Sequence, residues 1–167
     1  MFELSNQSVK LSSVNPRAEI HGEKKVPACD LKFEYAADNG DLAHFAPDLR
    51  SALYKAPEDQ QDLIDPERLS VMRYPKMGAF RWDMTGKGYS LTVHYGIGGP
   101  SDIVLPVDID NFKLLPQNGG TVMVMFRAVA HPEEDDMGRI CAMIQQVIEI
   151  SLIPPAPENV QQLFGDE

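Results

Sequence analysis

Cys29-Asp30-Leu31-Lys32-Phe33-Glu34-Tyr35 alternates without a break, with Leu31, Phe33 and Tyr35 on one parity and Asp30, Lys32 and Glu34 on the other. Successive side chains of an extended chain point to opposite faces, so the segment reads as a strand with one face on a core and one in water. It is approached through His21-Gly22-Glu23-Lys24-Lys25, an exposed turn. Before that turn, Val9, Leu11 and Val14 make a short edge strand that Asn15-Pro16 should end. After the alternating strand, Asp38-Asn39-Gly40-Asp41 offers helix caps, and Leu42, Phe45, Leu49, Leu53 and Tyr54 fall at helical spacings. Pro47 fits badly inside one helix, which predicts a short turn from Leu42 to Phe45 and a second helix with Pro47 in its first position.

The polar stretch from Lys55 to Pro66 reads as a loop, and Leu69 to Tyr74 as a strand stopped by Pro75. Phe80 to Met84 and Tyr89 to Tyr95 flank Thr85-Gly86-Lys87-Gly88, a pattern that predicts a β-hairpin. Phe80, Trp82 and Met84 would share one face, and Tyr89, Leu91, Val93 and Tyr95 a face of the partner strand. Thr121 to Ala130 is rich in β-formers and apolar on both parities through Phe126, the mark of a central strand buried on both faces. A helix follows from Pro132, with Glu133 to Asp136 at its positive end and Met137, Ile140, Cys141, Ile144 and Val147 as its apolar stripe. Ile148, Ile150 and Leu152 then alternate as a last strand.

About seven or eight short strands and two helices, joined by turns rather than long crossovers, predict an α+β fold. Its body is a predominantly antiparallel β barrel or sandwich, an OB-like barrel among the possibilities. One domain is expected over 1–154, with an acidic C-terminal tail over 155–167. Hydrophobic residues at 43% and charged residues at 24% suit a globular chain that needs no staple. Cys29 and Cys141 therefore read as two thiols rather than a disulfide. No apolar run reaches the roughly 18 to 20 residues of a membrane span, and Met1-Phe2-Glu3-Leu4-Ser5 lacks the design of a signal peptide, so the expectation is a cytoplasmic protein without membrane partners.

His21, His44, His94 and His131 show no metal-ligand spacing, and neither cysteine belongs to a C-x-x-C pair; no metal and no cofactor is expected. Ser101 is not in a nucleophile elbow, and Gly96-Ile97-Gly98-Gly99 lacks the helix a phosphate cradle needs. A small hydrolase would require a cleft bringing His94 near Asp102 or Asp108. No catalytic residue is assigned, and the chain is read as a non-enzyme.

The densest signal is Arg68 to Tyr89, where five cations face one carboxylate. The segment sums to +4 in a chain of formal charge -10, which leaves -14 for the remainder. Cations interleaved with π faces suit the backbone and bases of single-stranded nucleic acid, and they equally suit a half-exposed hairpin. The candidate binding residues are Arg73, Tyr74, Lys76, Arg81, Trp82 and Lys87. In the tail, Leu163 and Phe164 beside Asp166 and Glu167 make a candidate docking peptide for a partner protein.

Three phrases carry a resemblance: His21-Gly22-Glu23-Lys24-Lys25-Val26-Pro27-Ala28-Cys29-Asp30-Leu31-Lys32, His94-Tyr95-Gly96-Ile97-Gly98-Gly99-Pro100-Ser101-Asp102-Ile103-Val104-Leu105, and Ala130-His131-Pro132-Glu133-Glu134. Together they resemble an uncharacterised family of proteins encoded by tailed bacteriophages and prophages. The resemblance implies a protein acting in the cytoplasm of a bacterial host, in DNA metabolism, counter-defence or virion structure. The reading that unites these signals is an accessory single-stranded nucleic-acid-binding protein of replication or recombination, with homo-oligomerisation open. Its rival is a protein-interaction module, either inhibiting a host defence or replication factor through its acidic surface or tail, or serving as a minor virion component.

Overall fold

A computed structural model describes residues 1–58, 68–95 and 99–157. β1 (Leu4–His21) and β2 (Lys24–Asp38) form a hairpin around Gly22-Glu23, where Gly22 takes φ +66°. β2 continues into the short 3-10 helix Asn39–His44, capped by Asp38, and then into α1 (Leu49–Leu53). β3 (Tyr54–Lys55) and β4 (Val71–Met72) make a separate two-stranded ribbon. β5 (Phe80–Trp82), β6 (Gly86–His94), β7 (Ile103–Pro116), β8 (Thr121–Ala130), α2 (Glu134–Cys141) and β9 (Val147–Ile153) complete the order.

The ring runs β1-β2-β8-β7-β6-β9 and returns to β1, every neighbour antiparallel, so six strands close a barrel with β5 added on β7. The fold is the expected α+β antiparallel barrel, and closure removes the exposed edges that an open sheet of these strands would leave. Among the described residues no helix is long and apolar enough to cross a membrane. The inward parity of each strand fills the interior. Phe2, Phe33, Phe112 and Phe126 form its aromatic centre, with Phe112 stacked on Phe126 at 5.6 Å. Cys29 is a buried free thiol and Cys141 a half-buried one. Burial pushes the Cys29 thiol up to about 11, so it stays protonated and unreactive near neutrality.

Five local expectations are corrected. β1 does not end at Pro16. β9 accompanies β1 only as far as Lys10, and beyond it, among the described residues, β1 has β2 alone as a neighbour, so Pro16 can turn its missing N–H to the other side. The hairpin over Phe80 to Tyr95 does not form either. β5 and β6 both pair with the same edge of β7, through Phe80↔Leu114, Trp82↔Phe112, Gly86↔Ile109 and Tyr89↔Val107, as two segments of one interrupted strand. The glycines serve a bulge instead of a turn. A Cβ on Gly86 would lie 2.4 Å from the Tyr89 ring and 2.9 Å from Ile109 Cγ1, while Gly88 takes φ +73°.

β8 is buried on one face only: Val122, Val124, Phe126, Ala128 and Ala130 point inward and the other parity is half-exposed. A barrel strand has a single interior face, however apolar both parities are. Finally, α2 stops at Cys141. Leu11 in β1 accepts from Gln145 N at 2.7 Å and donates to Gln146 O at 3.0 Å, drawing the chain out of the helix toward β9. Ile140 is buried as expected, but Ile144 and Val147 are exposed. Pro47 lies just outside α1, which begins after Asp48.

Candidate nucleic-acid interface

The outward parity of β2, β8, β7 and β5 carries the cations. Lys32 alternates with buried Leu31 and Phe33, Arg127 with Phe126 and Ala128, Lys113 with Phe112 and Leu114. Strand pairing then sets them side by side. Lys32 is directly opposite Arg127 across β2 and β8, and Arg81 directly opposite Lys113 across β5 and β7. Like charges in directly opposed positions are destabilising in a sheet.

Two bulges interrupt the strands at this face. The β1 register shifts between Leu11 and Ser13, and the β7 register shifts between Asp110 and Lys113, where Asn111 takes φ +53°. Bulges sharpen local twist, and asparagine tolerates the left-handed conformation better than most residues. A cavity of about 380 Å³ results, lined by Lys32, Glu34, Arg81, Asn111, Lys113 and Arg127 among others. A second of about 410 Å³ shares Arg81 and Asn111 with it and adds Trp82, Asp83, Thr85 and Asp110. The two therefore adjoin as one trough.

Arg127 is neutralised in place: Asp110 accepts from its Nε at 2.7 Å and its Nη2 at 2.6 Å, and Asp30 lies 3.7 Å from Nη1. The Asp110 hydrogen bonds raise its guanidinium pKa. Glu34 pairs with Lys10 at 3.7 Å. Among the described residues no carboxylate lies within ion-pair distance of Lys32, Arg81 or Lys113. The trough thus presents three cations whose nearest strand neighbours include further cations.

Of the six residues expected from sequence, Arg81 and Trp82 meet in this trough. Trp82 is half-buried, edge-on to Phe45 at 6.2 Å, with part of its surface lining the cavity. Arg73 is occupied elsewhere: its Nε donates to Ser51 O at 2.8 Å and Tyr54 O at 3.2 Å, fastening β4 to the end of α1. Tyr74 and Lys76 are exposed between β4 and β5, and Lys87 is exposed at the start of β6. None of Arg73, Tyr74, Lys76 and Lys87 lines either cavity. Leu163, Phe164, Asp166 and Glu167 lie outside the described residues. Lys32, Lys113 and Arg127 were not singled out from sequence. Their signal was a cation on the outward parity of three alternating strands, which becomes a cluster only once register is known.

His94 does meet Asp102. Its Nδ1 is 3.2 Å from Asp102 Oδ2, and its Nε2 is 2.8 Å from Ser151 Oγ on β9. This is the order of a serine-nucleophile relay. The hydroxyl, however, is already engaged by a second β1 bulge, where the register with β9 shifts between Leu4 and Gln7: Asn6, at φ +45°, donates its backbone N–H to Ser151 Oγ at 3.0 Å, and Asn6 Oδ1 is 3.3 Å away. A hydroxyl has one proton and two lone pairs, so three partners saturate it. Neither of the two cavities touches these residues. The geometry is that of a pin joining β1, β6 and β9. Comparison with known protein families, with curated proteins and with solved structures returns no match.

Proposed function

We propose that the protein binds single-stranded nucleic acid along the trough that crosses β2, β8, β7 and β5, as a phage-encoded accessory protein of replication or recombination. The observation that carries this reading is the directly opposed like-charge pair of Arg81 and Lys113, with Lys32 across from an Arg127 already neutralised by Asp110, on one concave face of a chain of net charge -10. Such pairs cost folding stability, and a phosphodiester backbone laid between them converts the cost into attraction. Trp82 has the opposite parity to Arg81 and packs edge-on to Phe45, so it meets the trough only at the margin, through the second cavity it helps to line. Four cations partly balanced by Glu34, Asp83 and Asp110 are too few to hold duplex DNA against the acidic remainder of the surface. The phage setting is supported by the resemblance of the three sequence phrases alone.

Trp82 is the only tryptophan in the chain, so the trough carries its own reporter. Titrating an oligothymidylate of about 20 nucleotides at low salt should quench or shift Trp82 fluorescence, with affinity falling about 0.7 log units per log unit of salt for each phosphate neutralised. A duplex of equal length should bind more weakly. If the oligonucleotide binds nowhere between about 0.01 and 0.3 M salt, the proposal fails, and recovery of one host or phage protein with the chain would then favour the protein-interaction reading.

A further inference from the structure

The four histidines show no ligand spacing along the chain, yet the barrel brings two of them together. Glu19 and His21 lie two residues apart on β1 and so share a face, and His131 follows the last residue of β8. The hairpin crosses β2 to reach it: Arg17 pairs with Ala28, whose neighbour Cys29 pairs with Ala130. Ala28, on the strand between them, is small and fully buried. His131 Nε2 is 3.0 Å from Glu19 Oε2 although 112 residues separate them, and His21 Nε2 is 3.1 Å from the same oxygen. The three potential donor atoms all lie within 4.8 Å of one another.

We propose that Glu19, His21 and His131 bind a divalent transition-metal ion, zinc in preference, with water completing the coordination. Bond lengths of about 2.0 to 2.1 Å around a tetrahedral zinc place neighbouring donor atoms roughly 3.3 Å apart, close to the 3.0 and 3.1 Å that separate the two imidazoles from Glu19 Oε2. Two imidazoles and one carboxylate form a borderline donor set suited to zinc, which is one reason to exclude calcium or magnesium as the favoured ion. The carboxylate is held from behind. Glu19 Oε1 is 2.6 Å from Arg17 Nη1, and Arg17 Nε donates to Asp30 Oδ1 at 3.1 Å, where Asp30 is only 7% exposed. Such outer partners orient ligands in built metal sites. His131 is fixed as well, since the next residue, Pro132, is buried and leads into α2.

Without an ion the same residues form a hydrogen-bonded trio, His21 and His131 both reaching Glu19 Oε2. His21 and His131 side chains are 61% and 45% exposed, and ion-paired contacts at that exposure contribute little to stability, whereas a shared ion would add to what is gained by aiming both rings at one oxygen. The ion would have a structural use. At this end β1 has β2 as its only strand neighbour among the described residues, and the metal would fasten the hairpin tip to the junction of β8 and α2. The inference is independent of the nucleic-acid reading.

The test is calorimetric titration of metal-stripped, full-length protein with zinc chloride, together with the visible spectrum of its cobalt(II) form. One zinc per chain is expected. His21→Ala and His131→Ala should each weaken binding about 100-fold or more, Arg17→Gln about tenfold, and Cys141→Ser not at all. Because a variant could lose the metal by losing its fold, the wild-type cobalt spectrum provides a separate reading. Tetrahedral d–d bands without a thiolate charge-transfer band support the site, whereas that charge-transfer band would assign the metal to the cysteines and overturn it. Absence of stoichiometric binding, or binding that survives the His21→Ala/His131→Ala double substitution, would overturn it too.

Discussion

Arg81 faces Lys113 across a β-bridge with no carboxylate within ion-pair distance among the described residues, a placement that stability alone would not favour. Replacing one member by an acid turns repulsion into a cross-strand pair, so Arg81→Glu should raise stability by about 0.2 to 1 kcal/mol in urea denaturation. The same change should weaken oligothymidylate binding about tenfold or more at low salt, since it removes one cation and adds an anion beside the strand's path. A variant that is both more stable and weaker in binding identifies a functional residue held at a folding cost. If Arg81→Glu binds the oligonucleotide like the parent chain, the trough is not the interface. The residue scale is also where the sequence was least legible. Charge density along the chain pointed to Arg68 to Tyr89, but Arg73 is spent on backbone carbonyls, and the cations that meet Arg81 come singly from β2, β7 and β8.

At the scale of elements, alternation was a dependable guide and turn residues were not. Leu31, Phe33 and Tyr35 in β2 and Ile150 and Leu152 in β9 are buried as their spacing requires. Gly86 and Gly88 look like a hairpin turn in sequence, because both a turn and a bulge draw on glycine for positive φ or close approach. What decides between them is the length of β7, whose edge accommodates β5 and β6 end to end, and no local pattern encodes that. The α2 terminus shows the same override, with hydrogen bonds from Leu11 outweighing the helical spacing of Ile144 and Val147. The relay of Asp102, His94 and Ser151 belongs to this scale, since it links the β1 bulge to β9 and β6. Ser151→Ala should cost about 1 kcal/mol in chemical denaturation by leaving the Asn6 N–H without its partner. Wild-type Ser151 should also remain unlabelled by a fluorophosphonate probe. Covalent labelling at Ser151 would instead establish an activated nucleophile and move the protein toward the hydrolases.

For the whole molecule, two electrostatic ranges compete. The chain carries -10 overall, while the trough offers Lys32, Arg81 and Lys113 within a few residues' width. The Debye length is about 30 Å at 0.01 M salt and about 10 Å at 0.1 M, so a polyanion feels the entire acidic surface in the first case and chiefly the trough in the second. Added salt therefore does two opposing things. It screens the long-range repulsion, which aids approach, and it reduces the gain from releasing counterions at the trough, which weakens binding. A protein with a uniformly basic surface would show a straight line of log affinity against log salt. Here the line should flatten, or turn over, below about 0.03 M salt and become steep above it. Fluorescence anisotropy of a labelled oligothymidylate across 0.01 to 0.3 M salt would resolve the shape. Lys32→Glu with Lys113→Glu should abolish the steep limb, because the local attraction is gone, and leave only weak association that improves with screening. A steep, straight dependence persisting down to 0.01 M would mean that the acidic remainder lies out of reach of the bound strand, and that the binding surface extends well beyond the trough.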